Sequence, residues 1–161
     1  MRLPKPIRAL TVTTAVLAVI GASPAGAQTC AMAEDETALQ VRVLQTELMV
    51  AALSCQQQDP YNAFVTRFQP TLAVQGKALK GYFKRVYGGG STAELDEFVT
   101  RLANEASLRV MRNLAGYCTE SKALFRSVMT LEANGLESFV TSWTNRDAHG
   151  VLPCVLQAAN P

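Results

Sequence analysis

Four cysteines, Cys30, Cys55, Cys118 and Cys154, constrain this chain more than any other feature. They are even in number, widely spaced, and all follow a segment built like an export leader. In an oxidising compartment such a set pairs into disulfides and limits how the elements between them can be arranged. No two cysteines are close enough to form a C-x-x-C knuckle, and His149 is the only histidine. No metal site, c-type haem attachment or thioredoxin-like redox pair is therefore expected, and no cofactor motif is legible.

The leader has three parts. Arg2, Lys5 and Arg8 make a basic start, and an apolar run extends from Ala9 to Ala22. Ser23-Pro24 breaks that run, and Ala25-Gly26-Ala27 is a small-x-small cleavage site before Gln28. The run is shorter than the roughly 20 apolar residues a membrane-spanning helix needs. No twin arginine is present, and Thr29 before Cys30 does not suit lipidation. Residues 1–27 are expected to be a Sec-type signal peptide and residues 28–161 a single helical domain, soluble in the periplasm or secreted. Its removal takes three of the 15 Lys+Arg and none of the 13 Asp+Glu, leaving 134 residues of net charge −1 instead of +2. That balance excludes a strongly basic nucleic-acid binder and an acidic disordered tail.

Apolar residues recur at helical spacing in four stretches. The first helix is expected from about Asp35 to Cys55, where Val41, Leu44, Leu48, Ala52 and Cys55 form a stripe that Leu39, Val43, Val50 and Leu53 widen to most of the circumference. Such a helix should be heavily buried. The second runs from Pro60 to about Tyr87 and stays in phase across Pro70, which predicts a kink there. Gly88-Gly89-Gly90 ends it; no Gly-Lys-Ser/Thr follows, so a phosphate loop is not indicated. The third opens on a Ser91/Glu94 capping box and ends near Gly116. The fourth starts near Thr119 and reaches Trp143, with Asn134-Gly135 a candidate break. No period-2 strand pattern stands out, so the expected fold is all-α, an up-down four-helix bundle.

That layout selects the disulfides. A helix from Asp35 to Cys55 is roughly 30 Å long, while the five residues back to Cys30 reach at most about 17 Å. Cys30 therefore cannot meet Cys55, because a disulfide needs Cα atoms within about 7 Å. With alternating helices, Cys55 and Cys118 share one end and Cys30 and Cys154 the other. The Cys55–Cys118 bridge closes a loop of 64 residues, worth roughly 4 kcal/mol in the chain-entropy view.

Charged and polar residues mostly describe a solvated face. Glu97/Arg101 and Glu105/Arg109 are spaced for helix ion pairs. Lys77, Lys80, Lys84 and Arg85 cluster near the end of the second helix, where cations suit its dipole, and form a candidate anion patch. Glu47 shares a narrow polar strip with Gln40 and is expected to pair with Arg101, Arg109 or Arg112. Phe64-Val65-Thr66-Arg67 recurs as Phe98-Val99-Thr100-Arg101 and in part as Phe139-Val140-Thr141, but the spacings differ, so the echo reads as reused core steps and not as a repeat. No catalytic constellation is legible: His149 has Asp147 two residues away and no fixed nucleophile, and two loop residues are not a metal site.

Leu44 through Cys55, then Tyr61-Asn62-Ala63-Phe64-Val65 and Thr100 through Ser107, resemble a group of small exported four-cysteine proteins of Gram-negative bacteria. The resemblance covers most of the chain after the leader. It implies the periplasm and transfers no activity and no functional residue. The expected function is a binding or envelope-associated module whose partner is an envelope protein or an anionic ligand. The competing function is a small envelope hydrolase using Glu47 or the Asp147/His149 loop. Intact-mass analysis of exported protein should show a chain beginning at Gln28; a mass retaining residues 1–27, or a lipid on Cys30, would refute the leader assignment.

Overall fold

The structure, a computed structural model, describes residues 29–154; the expected leader, residues 1–27, lies outside the described residues. It is helical, with no strand among the described residues. The expected four helices resolve into six: α1 (Ala33–Ser54), α2 (Gln58–Arg67), α3 (Gln69–Tyr87), α4 (Ser91–Arg112), α5 (Leu114–Met129) and α6 (Leu136–Ser142).

α1 is the axis. Glu34, Asp35 and Glu36 occupy its first turn, where carboxylates suit the positive end of the helix dipole. Asp35 Oδ2 accepts from the Met32 N–H at 2.8 Å and so caps the start. Two apolar faces follow. Val41, Leu44, Leu48 and Ala51 pack into one cluster with Phe64, Phe68, Ala106, Tyr117, Phe125, Val128, Leu136 and Val140. Leu39 and Val43 pack into a second with Leu79, Tyr82, Phe83, Phe98 and Leu102. Trp143 borders both clusters. α1 consequently touches all five other α-helices, whereas each helix of a simple up-down bundle faces two close neighbours.

The breaks have local causes. The expected kink at Pro70 is instead a one-residue interruption at Phe68, with Pro70 in the first turn of α3. A proline lacks the N–H of an interior helical residue but is tolerated where that N–H has no partner anyway. The Ser91/Glu94 capping box does not form: Gly90 precedes α4 without a side-chain cap, and the Gly88–Gly90 turn feeds straight into the helix. The boundary expected at Gly116 lies at Asn113, whose Oδ1 accepts from the Gly116 N–H at 3.0 Å. A Cβ on Gly116 would meet that Asn113 side chain at 2.3 Å, so the glycine makes room for the cap of α5 and does not end α4. Residues 130–135 separate α5 from α6 around Asn134-Gly135.

Two disulfides clamp opposite ends of α1. Cys55, its C-cap, bonds Cys118 in the first turn of α5, with Cα atoms 5.5 Å apart. Cys30 bonds Cys154 across 4.8 Å between Cα atoms. Beside the second bridge, the Ala31 N–H donates to the Leu152 carbonyl and the Cys154 N–H to the Ala31 carbonyl, each at 2.9 Å. The Tyr82 hydroxyl also holds this end by donating to the Thr29 carbonyl at 2.9 Å. Among the described residues no helix is long and apolar enough to cross a membrane.

The position of α1 sets a direct test. Leu48 is fully buried and Leu53 is 72% exposed on the same helix. Urea denaturation of the oxidised protein should show Leu48→Ala costing about 2–5 kcal/mol and Leu53→Ala no more than about 0.5 kcal/mol. Equal losses at the two positions would contradict a central α1.

Candidate functional site

Asp35 and Glu47 of α1 are buried and each meets a cation from a different element, while Glu36, partly buried, faces His149. Asp35 pairs with Arg85 of α3, whose guanidinium also lies 5.5 Å from the centre of the Tyr82 ring. Arg85 is exposed, as Lys77, Lys80 and Lys84 are, but its charge is shared with buried Asp35, whereas the three lysines carry no such pairing among the described residues. Glu47 pairs with Arg109 of α4, one of the three arginines expected for it. Arg109 is thereby not the partner of Glu105, which meets Arg101 instead at 3.3 Å.

Glu47 also borders a cleft of about 260 Å³ with Tyr117, Glu120, Ser121, Leu124, Trp143, Thr144 and Asn145. The Tyr117 hydroxyl donates to the Glu47 carbonyl at 3.2 Å. Burial, with the Glu47 carboxylate beside it, raises the Tyr117 pKa far above the ordinary phenol value, against an opposing pull from Arg109. Tyr117 is thus a fixed hydrogen-bond donor and no acid at neutral pH. The converging Glu47, Arg109 and Tyr117 resemble a reactive trio in composition, but Glu47 is neutralised by its cation and Tyr117 is committed to a backbone oxygen.

His149 is 1% exposed and seated against the start of α1. Its Nδ1 accepts from the Val151 N–H at 3.1 Å. Its Nε2 stands 3.2 Å from Glu36 Oε2, outside hydrogen-bond alignment, and Glu36 Oε1 has no partner. A ring nitrogen that accepts a backbone N–H carries no proton, so a neutral imidazole bears its hydrogen on Nε2, facing Glu36. Burial lowers the His149 pKa, Arg101 adds to this, and Asp147 opposes it. Burial raises the Glu36 pKa, with Asp147 and then Asp35 adding to it. The surrounding turn is held by Arg101, which donates to the His149 carbonyl at 2.8 Å, and by Gly150 in the left-handed conformation. Among the described residues no group of three or more His, Cys, Asp or Glu side chains is placed to hold a metal ion.

The feature that sequence reading missed is a groove of about 550 Å³ between α2 and α5, lined by Gln57, Pro60, Lys122, Phe125, Arg126 and Met129. Phe125 and Met129 belong to the main core cluster and form its floor. Lys122, Phe125, Arg126 and Met129 follow helical spacing, so a face carrying both cations and apolar groups was legible in the chain. Gln57 carried no such signal. It is 6% exposed, and its Nε2 is buried with no hydrogen-bond partner.

The Glu36/His149 contact predicts a pH signature. An unfolded histidine takes up a proton near pH 6.5, and buried His149 does so less readily, so His149 lowers stability as pH falls through that range. Glu36 acts oppositely: its raised pKa holds a proton in the fold that the unfolded chain has lost, so its contribution declines as pH rises. Between about pH 7.5 and about pH 5.5, His149→Gln should lose less Tm than the parent protein and Glu36→Gln more. Parallel curves for all three proteins would sink the assignment.

Comparison with known proteins finds no matching family model, no matching curated protein and no matching solved structure.

Proposed function

We propose that the chain is an exported, disulfide-clamped helical binding module of the bacterial envelope, periplasmic or secreted, which holds a ligand or partner without turning over a substrate. Export is supported by the tripartite leader in the sequence, by the resemblance to small exported four-cysteine proteins of Gram-negative bacteria, and by the two disulfides. One observation carries the binding function. The side chains best suited to acid–base chemistry, Glu47, Glu36 and His149, are turned inward as ties between α1 and its surroundings, while the α2–α5 groove faces outward with an apolar floor. Open, apolar-lined concavities with a few polar groups are the usual form of a ligand site.

The competing hydrolase, using Glu47 or the Asp147/His149 loop, needs a carboxylate or imidazole free to exchange protons with a substrate. Glu47 is held by Arg109, and His149 uses Nδ1 on the backbone, which weighs against both. Oxidised full-length mature protein should bind the neutral apolar dye N-phenyl-1-naphthylamine at one saturable site and leave chromogenic ester, glycoside and phosphate substrates intact. Turnover that disappears in Glu47→Gln or His149→Gln would assign the hydrolase. Absence of saturable dye binding would overturn the binding module.

A further inference from the structure

We infer that the α2–α5 groove takes the carboxylate end of a single acyl chain, a fatty-acid-type ligand; this rests on the binding-module function above. The groove supplies both halves of such a molecule's chemistry. Pro60, Phe125 and Met129 offer apolar surface, and Phe125 and Met129 are anchored in the core, so that surface is already in place. A preformed apolar wall binds without first ordering itself. The volume of about 550 Å³ lies within the range of small-molecule sites.

The polar half is cationic. Lys122 and Arg126 stand one turn apart on α5, and no acidic side chain lines the groove. Neither cation has a carboxylate partner among the described residues. Their charge selects an anion and disfavours an alkylammonium of the same length. Gln57 lines the same groove, with its Nε2 buried beneath the surface and without a hydrogen-bond partner. A carboxylate has lone pairs enough to accept from both cations together.

The backbone on this side of the groove is restrained. Gln56, before Gln57, has φ +56°, a left-handed conformation uncommon for a residue with a side chain. The Gln57 N–H is bonded to the Ala52 carbonyl at 3.1 Å. Cys55, two residues earlier, is locked to Cys118 on α5, the helix that carries both cations. The disulfide thus holds the start of α2 against α5, the two walls of the groove.

Calorimetry on the oxidised full-length mature protein tests this, with laurate, dodecyltrimethylammonium and dodecyl phosphate below their micelle concentrations. Laurate should bind one-to-one and more tightly than the other two. The double variant Lys122→Glu/Arg126→Glu, altered only at exposed positions, should weaken laurate by about tenfold or more and favour the ammonium instead. Equal affinity for laurate and the ammonium, or no effect of charge reversal, overturns the inference, and tighter binding of dodecyl phosphate overturns the carboxylate assignment. Dye binding without laurate binding sinks this ligand class and leaves the binding module standing; loss of both sinks both.

Discussion

Burial of α1 on most of its circumference is the constraint from which the rest of the structure follows. A helix covered on one side can turn its polar residues to water; α1 cannot, because two core clusters flank it. Its carboxylates must then find partners inside the protein, since an unpaired buried charge is far costlier than a paired one. Asp35, Glu47 and Glu36 reach Arg85 on α3, Arg109 on α4 and His149 in the closing turn. Each contact specifies which outer element lies against which turn of α1. Removing Arg85 or Arg109 leaves a buried carboxylate unpaired, so these two contacts act as register marks as well as attractions.

The outer helices are short or interrupted because they must wrap around this axis. Phe68 and Asn113 mark turns between successive helices, and each keeps its backbone satisfied: the Phe68 N–H reaches the Phe64 carbonyl, and Asn113 caps α5. The recurring Phe-Val-Thr-Arg step acquires a physical meaning here. Phe64 and Phe98 are core anchors, and Arg67 and Arg101, one turn later, donate to the Leu131 and His149 carbonyls in the irregular segments that follow α5 and α6. The third occurrence, at Phe139, has Ser142 in place of the arginine and makes no such bond outward. Two copies of one local solution explain the echo without duplication of a unit.

The disulfides tie the α2–α5 groove to the framework that stabilises the fold. The Cys30–Cys154 bridge and its flanking backbone bonds hold the closing segment that seats His149. The Cys55–Cys118 bridge joins the end of α1 to the start of α5, and between them lies the backbone that presents Gln57 to the groove. Cross-links at both ends restrict the unfolded chain most when the loops they close are long, and these join cysteines 124 and 63 positions apart in sequence. The same restraint that limits the unfolded chain holds the start of α2 against α5.

The sequence by itself determined the helical class, a first helix buried almost all round, an interruption near Asn134-Gly135, and geometric grounds for joining Cys55 to Cys118 and Cys30 to Cys154. These follow from periodicity and reach, which are properties of the chain alone. It also narrowed the partner of Glu47 to three arginines. Only the tertiary structure decided among them, because helical phase says which residues share a face and not which face meets which helix. The same reason hid the pairing of Arg85, the one member of the basic cluster that reaches a buried carboxylate on another helix. The groove was hidden for a related cause. Lys122, Phe125, Arg126 and Met129 are adjacent by helical spacing, but Gln57 and Pro60 come from more than 60 positions earlier. Nothing in a linear chain marks a donor as lacking an acceptor until packing has closed around it.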